Sequence, residues 1–573
     1  MDSSTPLLTV PENAMTIFQQ SDTAVRQPEP AVRTPGPTTG PHIGTDVPGP
    51  RSAELLARQE RRESNARVYP RHLPIAIEEG FGSFVRDLDG NVFIDFLGGA
   101  GVLSLGHNHP ELVRAVTGQL GRFTHGLDFP TPAKDAFTEA QLSMLPTPLR
   151  DRMKLHFCGP TGANAVEAAV KLCKTATGRG DIVAFQGGFH GGTHAAMALS
   201  GTVAQKRPVA NGMPGVHFFP YSYCTRCPLG LSPDTCETNC VGYLERSLTD
   251  GLSGIPLPAA VVLELVQGEG GVVPAGPDFV RRVRALTRDL GIPLVVDEVQ
   301  TGGGRTGTWF AFESYGIEPD VVLASKSLSG VGAPVALMLY DRRLDVWAPG
   351  AHTGTFRGNQ LAFASGTEAI RIFRRDDVLG NVRRRGEQVE DRLAPLRSHP
   401  WVHEIRGRGL MWGIELAEPR VARPAGDLAA RVQEHALRHG LIVELGGRDD
   451  CVVRMLPPLN VTPDVIDTAC AILTDAIEAA TPTTPATPTA TAATSSATPA
   501  TTVGTSSATS AGLTATPTTP STTATSSATA ATSSTTPTTS STTPTTPSTT
   551  PTGAGTPPSS VGRPSGRPAT RTP

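Results

Sequence analysis

Between about residues 155 and 340 the chain alternates short apolar runs with helical stretches, and this alternation restricts the fold more than any other feature. The runs are 182–185 (IVAF), 261–266 (VVLELV), 294–296 (LVV), 321–324 (VVLA) and 335–340 (VALMLY). Each is short and rich in β-branched residues, the pattern of strands buried on both faces. Between the second and third runs, residues 278–290 place Phe279, Val280, Val283, Leu286 and Leu290 at helical spacing, with arginines on the other face. Strands alternating with helices predict an α/β fold with a mainly parallel sheet, whose ligands lie beyond the carboxyl ends of the strands.

Outside this core the pattern changes. Residues 378–480 read as a small α+β domain, with helices over 382–396, 424–439 and 463–479 and strands over 402–409, 411–416 and 442–444. Residues 51–110, with strands near 75–78, 84–87 and 92–95 and a turn at Asp89-Gly90, are expected to join it, leaving 111–377 as the large domain. Residues 1–50 hold nine prolines and read as a disordered extension. Residues 481–573 are Thr, Ser, Pro or Ala at 81 of 93 positions, without an aromatic or acidic residue. Such a segment buries too little to offset its ordering entropy, so a disordered tail is expected.

The formal net charge of −3 becomes −6 once the tail's three arginines are set aside. This balance leaves no electrostatic footprint for nucleic acid. No run of eighteen apolar residues is present, which excludes a helical membrane span. The N-terminus MDSSTPLLTVPENAM has no basic region before an apolar stretch, so a cytoplasmic chain is expected.

Asp297 stands immediately after LVV, and Lys326 follows VVLAS 29 residues later, so both emerge at carboxyl ends of strands. A desolvated lysine there serves as an amine nucleophile. An acidic residue on a neighbouring strand holds a pyridinium nitrogen protonated and makes the ring an electron sink. Either residue alone reads as an ordinary loop charge, so the pair needs a third element. That element is Gly159-Pro160-Thr161-Gly162-Ala163-Asn164-Ala165, running into an apolar helical stretch. Small residues at a helix N-terminus make a phosphate cup, although the same run would also suit a tight loop capping a buried helix.

Taken together, VVDEVQTGGGRTG and the following DVVLASK resemble the signature of class III (ω-amino acid) aminotransferases, fold type I enzymes that use pyridoxal 5'-phosphate. The resemblance runs from about Tyr69 to Leu459, through the glycine-rich stretch 98–106 with HNHP, then GPTGANA, FQGGFHGGT, LELVQGEGG and HTGTFRGNQ. It implies a large domain with a seven-stranded-type sheet, a small α+β domain, and a homodimer with shared active sites. By the same resemblance Lys326 carries the cofactor, Asp297 pairs with its ring nitrogen and Gln300 lies near its phenolic oxygen. Gly162 and Ala163 contact the phosphate, while Phe189 stacks on the ring with His190 beside it. Thr355 reaches the phosphate of the neighbouring subunit's cofactor. Arg454 receives the α-carboxylate of glutamate or 2-oxoglutarate, and Glu264 pairs with that arginine when the other substrate is bound. Glu269 is left without a role. Two departures stand out: SLSGVGA follows the lysine where the family is richer in glycine, and Leu265 stands where proline is common.

Within the class, the stretches NARVYPRHLPIAIEEGFGSFVRDLDGNVFIDFLGGAGVLSLGHNHP and HTGTFRGNQLAF resemble diaminobutyrate–2-oxoglutarate aminotransferases more than ornithine, 4-aminobutyrate or β-alanine enzymes. The implied partners are small amino acids and oxo acids. Alternatives are another ω-amino acid aminotransferase, or an intramolecular aminomutase, which Arg454 opposes. A zinc-stapled scaffold without catalysis is opposed by Asp297, Lys326 and the phosphate cup together. That scaffold reading comes from Cys224, Cys227, Cys236 and Cys240, whose spacing suits four thiolates around a structural zinc ion or an iron–sulfur cluster. A loop of reduced, packed cysteines is the other reading of the same spacing.

Overall fold

The computed structural model describes residues 40–209 and 212–482. Seven strands form the main sheet, in the order Met153–Gly159, Ala336–Asp341, Val321–Ala324, Leu294–Asp297, Ala260–Leu263, Ile182–Phe185 and Val216–Phe219. Ala336–Asp341 runs antiparallel to both of its neighbours, and the other pairings are parallel. Because side chains alternate along a strand, the central strands serve two layers at once. Ile182, Ala184, Val262, Val295, Val321 and Leu323 pack with the helix Gly162–Thr177. Val183, Val261, Leu263, Leu294, Val296 and Val322 share a core with the opposite helix, Pro277–Asp289, through Phe279, Val280 and Val283.

The strands expected from the sequence are present with adjusted ends, and the differences have physical causes. The two outermost strands, Met153–Gly159 and Val216–Phe219, lack a continuous apolar run because each is partly exposed. The run VVLELV does not remain one strand. It leaves the sheet after Leu263, and Val266–Gln267 pairs instead with Val273–Pro274 in a separate hairpin.

An antiparallel sheet orders Val402–Arg408, Met411–Leu416, Val452–Met455 and Glu444–Gly446. A further sheet joins Ile77–Phe81, Phe84–Asp87 and Val92–Asp95 to Leu441–Ile442, so the N-terminal segment and the C-terminal part are hydrogen-bonded together. Helices Val378–Leu393, Gly426–Arg438 and Pro463–Ala480 bury Val382, Val389, Val432, Ile466 and Leu473 in the accompanying core.

The expectation that residues 1–50 form a disordered extension is corrected for residues 40–50. His42 and Val92 exchange backbone hydrogen bonds of 2.9 and 2.7 Å. The buried Asn91 side chain accepts from the amides of Gly44 (2.9 Å) and Thr45 (3.1 Å). Asn91 thus supplies the acceptor that holds this segment beside a strand edge. The expectations for residues 1–39 and for the tail beyond Thr481-Pro482 lie outside the described residues. Among the described residues no helix is long and apolar enough to cross a membrane.

Candidate active site

Asp297 closes its strand in register with Leu323, and Lys326 lies three residues further along the adjacent chain segment. Ser325 anchors the exit by donating its hydroxyl to the Val335 carbonyl (2.8 Å). Lys326 then takes a positive φ of 39°, a conformation costly for a long side chain and held here by the surrounding structure. Desolvation lowers the pKa of its amine, with Glu269, Arg454, Glu444 and Asp297 as the charges around it.

The buried Asp297 carboxylate receives Nδ1 of His190 at 2.7 Å on one oxygen and the Val299 amide at 3.0 Å on the other. Burial disfavours a charged His190, but the hydrogen bond and charge of Asp297, aided by Glu264, outweigh it and raise the imidazole pKa. The His190 amide donates to Ser200 Oγ (2.9 Å), which fixes the loop. Phe189 is half-buried and belongs to no aromatic pair among the described residues.

The GPTGANA turn reaches the same place. Gly162 opens the helix Gly162–Thr177, and a Cβ there would come within 2.9 Å of Val299, two residues beyond Asp297. Gly191, next to His190, would meet the Ala163 Cβ at 2.6 Å. These two glycines allow the helix N-terminus, the Asp297 loop and the His190 loop to touch. Gln300 comes close to Gly268, and its Oε1 is buried without a hydrogen-bond partner.

The pairing expected between Glu264 and Arg454 is corrected by the geometry. Glu264 accepts from the amides of Phe189 (2.8 Å) and Gly268 (3.0 Å), which commits both oxygens to the loop. Burial raises its pKa to about 7. The carboxylate on Arg454 is Glu269, with contacts of 3.1 and 2.8 Å to Nη1 and Nη2. The hairpin that interrupts VVLELV turns Glu269 back toward the arginine. A second carboxylate, Glu444, lies 2.9 Å from Nη2. The sequence singles out Glu269 without giving it a role and does not single out Glu444. Glu444 had one available signal: it is the direct cross-strand partner of Arg454 in a short hairpin.

Thr355 is exposed in a short turn beside Phe356. A cleft of about 970 Å³ lies at the opposite ends of the strands, lined by Arg152, Arg179, Arg284 and Arg343 among others, and shares no residue with this site.

The metal centre expected from Cys224, Cys227, Cys236 and Cys240 is also corrected. Among the described residues no group of three or more His, Cys, Asp or Glu side chains is arranged to hold a metal ion. Burial, with the neighbouring cysteines, raises the thiol pKa of Cys224, and that of Cys240 to about 11. The loop is tied down by ion pairs instead. Tyr223 and Arg226 both bind the buried Glu415, and Arg226 also donates to the Ala422 carbonyl (2.6 Å).

Residues 66–477 match the family described as aminotransferase class-III. The chain is 47% identical over 437 residues to a diaminobutyrate–2-oxoglutarate aminotransferase of Rhizobium meliloti (strain 1021), covering 74% of this chain and 93% of that one. The protein of that name from Haemophilus influenzae is 46% identical, with 71% and 91% covered. Among solved structures, an amine transaminase from an uncultivated Pseudomonas species, in its PLP-bound (internal aldimine) form, superposes with a TM-score of 0.66 at 26% identity, covering 73% of this chain and 97% of that one. With its fold, its strand-end lysine and aspartate, and this family match, the chain belongs to the class III aminotransferases.

Proposed function

We propose that the chain uses pyridoxal 5'-phosphate to move the terminal amino group of L-2,4-diaminobutyrate to 2-oxoglutarate, giving L-aspartate 4-semialdehyde and L-glutamate. The observation that carries the reading is one buried cradle holding Lys326, the Asp297–His190 pair and a fully buried Arg454. The relatives named above support the choice of substrates.

The residues fit the cofactor. Gln300 brings a buried amide whose NH2 would donate to the phenolic oxygen, and Gly162 and Gly191 keep the helix N-terminus free of side chains. When bound, the cofactor supplies an aldehyde that joins amines and a ring that withdraws electrons from the carbon being deprotonated. Asp297 is the anion for the ring nitrogen, and His190 orients it. The amides of Gly162 and Ala163 would hold the phosphate, with the helix dipole behind them. Phe189 would cover a ring face. Lys326 anchors the cofactor, and its lowered pKa favours the neutral amine that carries a proton to and from the substrate carbon. Arg454 takes the α-carboxylate of glutamate or 2-oxoglutarate as a bidentate partner, and Glu269 occupies the arginine when the diamine is bound.

The same reading includes a homodimer in which Thr355 of one copy completes the phosphate site of the other. Thr355 precedes the exposed Phe356 (68%), and a backbone hydrogen bond from Gly126 to Gly358 (2.9 Å) brings the turn that carries the exposed Leu127 (45%) and Phe129 (70%) to the same segment, the composition of a surface that another chain covers. The test is a single-turnover experiment on the cofactor-loaded protein. L-2,4-Diaminobutyrate should convert it to the aminated form and 2-oxoglutarate should return it. Failure of either acid, with other ω-amino acids active, would reassign the substrate.

A further inference from the structure

We infer that Glu444 selects the amino donor by receiving its α-ammonium group, and so separates L-2,4-diaminobutyrate from 4-aminobutyrate. This rests on the activity proposed above. The two donors share a four-carbon chain, a terminal amine and a carboxylate, and they differ by one ammonium at the α carbon. Only a group that recognises that ammonium tells them apart.

The geometry around Arg454 contains one anion more than the arginine needs. Glu269 covers the guanidinium edge with its two contacts. Nη2 carries two hydrogens, and both are taken: one by Glu269 Oε2 at 2.8 Å, the other by the Leu445 carbonyl at 3.2 Å. Nε also donates to Leu445. Glu444 Oε2 therefore lies 2.9 Å from Nη2 without a hydrogen from it, and this buried oxygen has no hydrogen-bond partner. A buried carboxylate oxygen in that state is costly until a donor arrives. The hairpin pairs Glu444 directly opposite Arg454, so the side chain cannot drift away without breaking strand register.

Charge points the same way. Glu269 and Glu444 set two carboxyls against the one guanidinium of Arg454, and burial together with Glu269 raises the pKa of Glu444, so the cluster, within range of Lys326, is one cation short of holding both acids ionised. That shortfall favours a donor bearing an extra ammonium and does nothing for one that lacks it. If the only task were to neutralise Arg454, Glu269 would suffice. Tyr69, whose pKa is raised by burial, by Glu444 and Glu269 and by a hydrogen bond to Glu444, holds the same carboxylate in place.

The experiment compares cofactor-loaded wild type, Glu444→Gln and Glu444→Asp in single-turnover reactions with L-2,4-diaminobutyrate, 4-aminobutyrate and glutamate. Glu444→Gln should lower kcat/KM for diaminobutyrate by roughly 10- to 100-fold, the range for losing a hydrogen bond to a charged group. The loss with 4-aminobutyrate and glutamate should be about tenfold smaller than the loss with diaminobutyrate. Glu444→Asp, which keeps the charge, should recover part of the preference for the diamine. A Glu444→Gln protein slowed equally with all three donors would overturn the inference and make Glu444 a support for Arg454. A wild type that used both ω-amino donors equally would overturn it without touching the proposed activity, whereas a wild type that used neither would overturn the activity itself.

Discussion

Two buried arginines in this protein each meet two carboxylates, and they are in opposite states of completion. Arg406 donates with all of its nitrogens: Nη1 to Glu404 and Glu415 (2.7 Å each), Nη2 to the Gly271 carbonyl (2.6 Å) and the Tyr223 hydroxyl (3.2 Å), and Nε to the Val272 carbonyl (2.9 Å). Glu415 is likewise filled, by Arg406, Arg226 and Tyr223. Arg454 has comparable company in Glu269 and Glu444, yet one carboxylate oxygen stays unpartnered and a lysine stands close by. The Arg406 cluster leaves a donor, Arg226 Nη2, without a partner, whereas the Arg454 cluster leaves an acceptor, Glu444 Oε2, able to receive a cationic group. The comparison assigns the first cluster to stability and the second to chemistry.

The largest expected effect breaks the second cluster at its centre. Lys326→Ala should reduce transamination by roughly 10⁴-fold or more, since no neighbouring group replaces an amine that both anchors and shuttles protons. Its unfolding free energy should change by less than about 1 kcal/mol. Substantial turnover without added amine would remove Lys326 from the chemistry. The mirror experiment is Glu415→Ala, which strands Arg406 and Arg226 without their shared anion. Removing one partner of a buried ion pair costs about 3–5 kcal/mol, so denaturant titration should show a large loss of stability in protein that still binds cofactor. A loss under about 1 kcal/mol would deny the network its structural role.

Arg454→Lys should act between these extremes. Lysine keeps the charge but not the fork that meets a carboxylate at two points, so the 2-oxoglutarate half-reaction should slow by about 10- to 100-fold and the diaminobutyrate half-reaction less. Equal slowing of both would mean that Arg454 only organises the small sheet.

What was legible in the sequence follows from where each signal is local. Lys326 and Asp297 were readable because each terminates a strand buried on both faces, whose apolar run announces itself. Met153–Gly159 and Val216–Phe219 were not, because an edge strand mixes exposed and buried positions. Glu264 and Glu269 stand five residues apart in one stretch, and only the hairpin formed after Leu263 decides which faces Arg454. The ion pairs of the cysteine loop were beyond reach for the same reason: Arg226 and Glu415 are 189 residues apart. Four closely spaced cysteines formed a visible local pattern, and the interaction that holds their loop was long-range.

The smallest expected effect tests that last contrast. If Tyr223, Arg226 and Glu415 hold the loop, the thiols contribute little, and replacing Cys224 and Cys227 together by serine should change stability by no more than about 0.5 kcal/mol. A structural metal would make the same change far more damaging, because metal binding at a closed four-thiolate site is itself folding free energy. The thiols also carry a pH signature. Burial, and next to it the neighbouring Cys224 and Cys236, raises the pKa of Cys240 to about 11, only partly countered by backbone hydrogen bonds, so its reactive thiolate is scarce at neutral pH. Raising the pH toward 11 should therefore accelerate alkylation of Cys240 by roughly tenfold per pH unit. A metal-bound thiolate would show the opposite trend, being ionised already and protected until chelation or acid released it. Mass spectrometry of peptides alkylated at stepped pH distinguishes the two. A flat, protected profile that opened on adding chelator would restore the metal and shift the loop's stability from the arginines to the cysteines.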